Sequence, residues 1–290
     1  MRFAIATLDR YLGIFEAFCL AGWTPTKLFT LPVRDPEFGA QARAIALAER
    51  AGATVQLSRL SDADLSALGE SGCEVLIVAG YDWKIPPWER ALKYAVNFHP
   101  APLPIGRGPY PLPRALLERR PFWGITCHRL SAQFDAGDIL AAEHFALHAD
   151  ECHERLNLRV QMAGKRLAVR VARNFVALWD DAQPQNGGSY WPHTTLSERI
   201  LDFTLPHAEV LRKVRAYGRT GSLAKVQGTW LIVKHALAWP EVHRQPPGEV
   251  AHLAGQSIVI AVADGYLALL ESEVAPPHVA GELAAAPGVP

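Results

Sequence analysis

The chain of 290 residues carries 29 Lys/Arg against 29 Asp/Glu, and 49% of it is apolar. That is room for about two domains on a prior of ~150 residues each, and the balanced charge excludes binding of nucleic acid or an anionic membrane through the whole surface, leaving only local patches. Cys19, Cys73, Cys127 and Cys152 lie far apart without a CxxC pair, the pattern of free thiols in a reducing cytoplasm rather than of disulfides or structural zinc.

Met1–Thr7 is too short an apolar run for a signal peptide and reads as a first strand. An amphipathic segment over 11–21 and a strand over 24–30 complete a βαβ opening. Helical periodicity over 41–51 follows, then strands at 54–57 and 73–78, the latter nearly all apolar as a central parallel strand requires. This alternation predicts an α/β fold with a doubly wound, mostly parallel sheet. From Glu154 to Trp179, Leu156, Val160, Ala163, Leu167, Val171, Phe175 and Leu178 recur in steps of three or four, predicting one long helix. No stretch approaches the ~18 consecutive apolar residues of a membrane helix, so a soluble, cytoplasmic protein with no membrane partner is expected.

The polar, Gly/Pro-rich stretch within 183–195 is the expected linker, which makes residues 1–182 the first, catalytic domain. A helix over 208–217 and short β-type runs at 223–226, 229–235, 248–251, 258–262 and 266–270 predict a smaller β-barrel of OB-like type over 196–274. Residues 275–290, rich in Pro, Ala and Gly, read as a flexible tail.

Asn97-Phe98-His99-Pro100 joins an apolar run to a proline-rich loop, and Asp135 follows 38 residues after Asn97, in Phe134-Asp135-Ala136-Gly137-Asp138. The three residues supply an amide that can donate to an oxyanion, an imidazole that titrates near neutrality, and a carboxylate that can orient the imidazole and raise its pKa. These are the parts needed to move an acyl group between nitrogens. Singly, each has a plainer reading: Asn97 as a strand-end cap, His99 as a satisfied buried imidazole, Asp135 as an Asx turn before Gly137.

With the flanking segments Val75–Tyr81, Asn97–Pro104, Gly106-Arg107-Gly108, Trp123–His128 and Asp135–Leu140, the pattern resembles the folate-dependent formyltransferase family in order, spacing and chemistry. That family includes methionyl-tRNA, glycinamide ribonucleotide and amino-sugar formyltransferases. The resemblance implies catalytic roles for Asn97, His99 and Asp135 and 10-formyltetrahydrofolate as the formyl donor. It also implies folate contacts, largely through backbone, at Leu76, Val78, Ala79, Gly80 and Tyr81 and at Phe134, Ala136, Gly137 and Asp138. Arg107, between two glycines, reads either as a holder of an anionic substrate group or as an exposed loop arginine. Thr126 and His128 share one face of a predicted strand and are candidates for the substrate side, His128 equally as a structural histidine. No HExxH or other ligand spacing predicts a metal.

The acceptor is read from charge. The segment 31–39 holds one arginine and two acids where methionyl-tRNA formyltransferases carry a basic insertion, and from Glu198 onward eight Lys/Arg stand against nine Asp/Glu. Binding a phosphate backbone draws on Lys/Arg, so initiator tRNA is disfavoured and only a patch at Arg212, Lys213 and Arg215 remains for it. Thr7-Leu8-Asp9-Arg10, in place of a glycine-rich phosphate loop, argues against glycinamide ribonucleotide. The expectation is formyl transfer to a small-molecule amine, an amino sugar nucleotide or a specialised metabolite. The alternatives are a methionyl-tRNA formyltransferase, a formyltetrahydrofolate hydrolase, and a non-catalytic folate- or nucleotide-binding module.

Overall fold

A computed structural model describes residues 1–31 and 40–285, and the chain divides into two units, each built from three segments. The first comprises 1–111, 122–146 and 158–191, the second 112–121, 147–157 and 192–290.

The strands of the first unit are β1 (Arg2–Thr7), β2 (Thr24–Phe29), β3 (Thr54–Gln56), β4 (Val75–Ala79), β5 (Tyr94–His99), β6 (Phe122–Arg129) and β7 (Ile139–Ala146), in the order β3-β2-β1-β4-β5-β6-β7. The first five run parallel and β6 and β7 antiparallel. All five residues of β4 are buried, because a central parallel strand is covered on both faces. Helices α1 (Leu12–Leu20), α2 (Ala42–Arg50) and α3 (Asp62–Glu70) form the crossovers. Helix α3 starts at a reciprocal cap in which the Ser61 hydroxyl accepts from the Asp64 N–H and the Asp64 carboxylate accepts from the Ser61 N–H. The strand order reverses at β1 and β4, so ligands belong beyond their carboxyl ends.

After α4 (Leu112–Leu117), the long helix expected over 154–179 is two: α5 (His153–Arg173) and α6 (Phe175–Asp180). Asn174 leaves the helical conformation (φ −125°, ψ 25°) and its Nδ2 donates back to the Arg170 carbonyl, replacing the ladder with a side-chain bond.

In the second unit α7 (His207–Tyr217) precedes β8 (Ser222–Val226), β9 (Thr229–Pro240), β10 (Val250–Ala254), β11 (Ser257–Val262) and β12 (Gly265–Val274), an antiparallel sheet ordered β10-β11-β12-β9-β8. Each of the five β-type runs read from the sequence overlaps one of these strands, although that at 248–251 shares only Val250 and Ala251 with β10. The tail expectation needs correction: α8 (Pro277–Ala285) follows β12, and Leu283 is buried with Leu223, Trp230 and Ala275. Val279, Ala280 and Leu283 recur at helical spacing inside a stretch whose Pro/Ala/Gly content masks it. Residues 286–290, and the segment 32–39 on which the missing basic insertion was read, lie outside the described residues.

Candidate active site

Strand β5 ends in Asn97-Phe98-His99, and the two-residue period of a strand sends Asn97 and His99 to one face while Phe98 packs on Phe18. The antiparallel neighbour β6 sets His128 opposite Asn97 and Thr126 opposite His99. The loop leaving β6 returns Asp135 to the same place, in a left-handed conformation (φ 53°) that aspartate tolerates better than most residues.

One carboxylate oxygen is the meeting point. Asp135 Oδ1 accepts from Asn97 Nδ2 at 3.1 Å and lies 3.3 Å from His99 Nδ1 and 3.5 Å from His128 Nε2. Its partner oxygen Oδ2 accepts the Gly108 N–H at 2.9 Å. Behind it, His99 Nε2 lies 2.8 Å from the Gly106 carbonyl oxygen. His128 Nδ1 faces the Arg129 carbonyl at 2.8 Å, so neutral His128 accepts the second Asn97 N–H at Nε2, 3.2 Å away, whereas a protonated ring would donate toward Asp135.

Burial alone would raise the Asp135 pKa, but the charge of His99, the hydrogen bond and charge of His128, and the Gly108 N–H outweigh it and hold the carboxyl at about 2. His99 is only 5% exposed, and that burial lowers its pKa below the ordinary histidine value despite the opposing pull of Asp135 and the Gly106 carbonyl. Asp135 does pull this pKa upward, as the sequence suggests, but desolvation outweighs the ion pair and the net shift is downward.

The loops that carry this cluster are held by groups that sequence reasoning gave no part in it. Gln185 Nε2 donates to the carbonyls of Asp135 at 2.8 Å and Gly137 at 2.7 Å. Ser189 Oγ accepts the Gly106 N–H at 3.0 Å, its carbonyl accepts the Arg107 N–H, and the Trp191 N–H donates to the Arg107 carbonyl. A β-carbon on Gly108 would stand 2.1 Å from the Trp191 carbonyl oxygen, and one on Gly137 2.0 Å from that of Arg129, so both close approaches need glycine. The segment read as a linker thus belongs to the site as far as Trp191. A polar, Gly/Pro-rich composition carries no signal for that.

The remaining expected residues fall into distinct places. Leu76 and Val78 point into the core with Leu60, Leu65 and Ala95, and Ala79 is fully buried, so only strand-end backbone can face a ligand. Gly80 (φ 70°) lies under the Tyr11 ring, and the Tyr81 hydroxyl accepts the Leu60 N–H at 2.9 Å, which ties it inward. Phe134 is exposed beside Asp135, Ala136 is half-buried, and Asp138 pairs with Arg129 at 2.9 Å. Thr126 is fully buried with both hydroxyl roles taken, donating to the Ala101 carbonyl and accepting from the Leu103 N–H. It supports the loop after His99 rather than facing a substrate. Arg107 keeps its Nε buried without a hydrogen-bond partner among the described residues.

Residues 38–172 match the family model described as formyl transferase, and residues 194–277 that of its C-terminal domain. The methionyl-tRNA formyltransferase of Bordetella parapertussis is 30% identical over 234 residues, which cover 78% of this chain and 72% of that enzyme. The chain belongs to the formyl transferase family. A Janthinobacterium methionyl-tRNA formyltransferase is 29% identical over 203 residues, which are 68% of this chain but only 64% of that enzyme's length. Among solved structures, HypX from Aquifex aeolicus in complex with tetrahydrofolic acid superposes with a TM-score of 0.69 at 22% identity, over 95% of this chain and 44% of that one. An N-formyltransferase from Helicobacter canadensis, in complex with folinic acid and dTDP-3-aminofucose, gives 0.66 at 12% identity, over 94% and 99%. These two likenesses establish the formyl transferase fold.

Proposed function

We propose that this chain transfers a formyl group from 10-formyltetrahydrofolate to the amine of a small-molecule acceptor. The observation that carries the reading is the convergence of Asn97, His99 and His128 on one ionised oxygen of Asp135 in a member of this family. The folate supplies the formyl carbon. Asn97 keeps one N–H on Asp135, and the one that faces His128 Nε2 is released to the oxyanion formed when the amine attacks once His128 donates toward Asp135 instead. Asp135, held near 2, is too weak a base to keep a proton, so it serves as the charge that favours a transient imidazolium at His99. The His99–Asp135 pair takes the amine's proton and returns one to the departing folate nitrogen, directly or through a water.

Charge also supports a small acceptor. Of the three residues left for a tRNA patch, Arg212 pairs with Glu209 and partly buried Lys213 donates to the Ile200 carbonyl at 2.8 Å. Burial lowers the Lys213 pKa. Outside that patch, Arg199 is spent on the carbonyls of Thr220 and Gly221, and Lys234 on Glu273. A second reading, initiator methionyl-tRNA as acceptor, is favoured by the names of the sequence relatives. Loss of 10-formyltetrahydrofolate should be followed with amino sugar nucleotides, other small amines and charged initiator tRNA in parallel. Acceleration by a small amine supports the proposal, acceleration by tRNA alone selects the second reading, and acceptor-independent loss identifies a hydrolase.

A further inference from the structure

Asp135 reaches its partners from a loop in a left-handed turn, whose far end is pinned by the close approach of Gly137 to the Arg129 carbonyl and by the Arg129–Asp138 pair. A further support of the turn's own carbonyl comes from fifty residues downstream. Gln185 Nε2 spends both amide hydrogens on the carbonyls of Asp135 and Gly137, at 2.8 and 2.7 Å. Two carbonyl partners leave no doubt that the nitrogen faces them, because an oxygen there would be repelled by both. Oε1 is then buried without a partner among the described residues, a destabilising arrangement that a purely structural position would have little reason to keep. The same segment holds the other loop through Ser189 and Trp191, and that loop delivers the Gly106 carbonyl to His99 and the Gly108 N–H to Asp135. Residues 183–191 fall between the two stretches that the family models match, 38–172 and 194–277.

We infer that Gln185 is a positioning residue: its amide fixes the Asp135 turn, and through that carboxylate the protonation of His99. The catalytic half of this inference rests on the proposed formyl transfer, and its geometric half does not. The positively polarised amide edge is the essential feature. Gln185→Met keeps length and removes both donors, and Gln185→Glu sets carboxylate oxygens against two carbonyls.

The test combines kinetics with a readout that needs no substrate. In the protein labelled at histidine nitrogen, the His99 ring should titrate at lower pH in Gln185→Met than in the parent, since a loosened Asp135 no longer opposes desolvation. Asp135→Asn should shift it the same way, while His128, Asp135 and the Gly106 carbonyl are the groups facing the ring in each case. Turnover should fall ~10²-fold with the folate KM changed less than about threefold. In the parent itself the Gln185 side-chain amide protons should exchange slowly with solvent, a measurement that stands even if neither variant folds. A folded Gln185→Met with unshifted His99 titration and full turnover overturns the inference, as does a freely exchanging parent amide. Should Asn97→Ala and His99→Ala also leave formyl transfer intact, the functional reading itself has failed. Loss in those two variants but not at Gln185 refutes the positioning role alone.

Discussion

Replacing Gly137 with alanine would set a methyl group 2.0 Å from the Arg129 carbonyl oxygen and 2.9 Å from its carbon. Carbon–oxygen contacts settle at about 3.3–3.6 Å, so the two backbones must part by more than 1 Å. Arg129 cannot give way easily: its N–H donates to the Asp138 carbonyl, its guanidinium pairs with the Asp138 carboxylate, and its carbonyl faces His128 Nδ1. The displacement therefore falls on the loop that carries Asp135, two residues away. Misplacing a catalytic group by ~1 Å costs on the order of 10²-fold in rate, equivalent to about 2.7 kcal/mol of barrier. Overpacking should also remove about 1–3 kcal/mol of stability. Turnover of 10-formyltetrahydrofolate with a competent amine, measured well below the melting temperature and beside a folate-binding isotherm, separates the two effects. A folded Gly137→Ala protein with kcat within threefold of the parent would refute the claim that this close approach sets the Asp135 geometry.

Asn97→Ala and His99→Ala should each lower kcat ~10²-fold or more while calorimetry with a stable folate analogue finds affinity within a few-fold. Because burial depresses the His99 pKa, the neutral base is populated at pH 7, and the rate should climb with pH only below the ordinary histidine range and then level off. Asp135→Asn removes the charge favouring the imidazolium, so the residual activity should show that limb at still lower pH; a shift to higher pH would contradict the assignment. Filter binding of charged initiator tRNA at physiological salt should be weak and change little on neutralising Arg212, Lys213 and Arg215, whereas tight binding lost in that triple variant would restore tRNA as acceptor.

Wherever hydrophobic pattern alone decides an element, the sequence was a sufficient guide. The run Val75-Leu76-Ile77-Val78-Ala79 is apolar because both its faces are covered, and Ser222–Val226 and Thr229–Pro240 are largely apolar runs separated by the turn residues Gln227 and Gly228. The trio was legible because Asn97, His99 and Asp135 sit in motifs with fixed spacing. What stayed hidden was the Asn174 side chain that ends α5, which has no periodicity, and the helical spacing of Val279, Ala280 and Leu283 in α8, which the surrounding Pro, Ala and Gly mask. The balance of burial against Asp135 at His99 also needed coordinates, since no sequence pattern reports how much water a ring has lost. Gln185 and Ser189 act through backbone carbonyls and an N–H of distant loops, a kind of contact that leaves no signature in residue type.

A cut after Trp191 would not yield a clean catalytic half. Leu112, Ala115 and Leu116 of α4 are buried, and α4 packs within the second unit on α7, which lies beyond the cut. A fragment of residues 1–191 would carry that apolar helix uncovered, and its poor yield would report aggregation instead of catalytic competence. Recombining such proteins with their relatives meets the same mosaic: residues 112–121 and 147–157 have to travel with 192–290, and an exchange at one junction pairs each helix with a partner it was not shaped to meet.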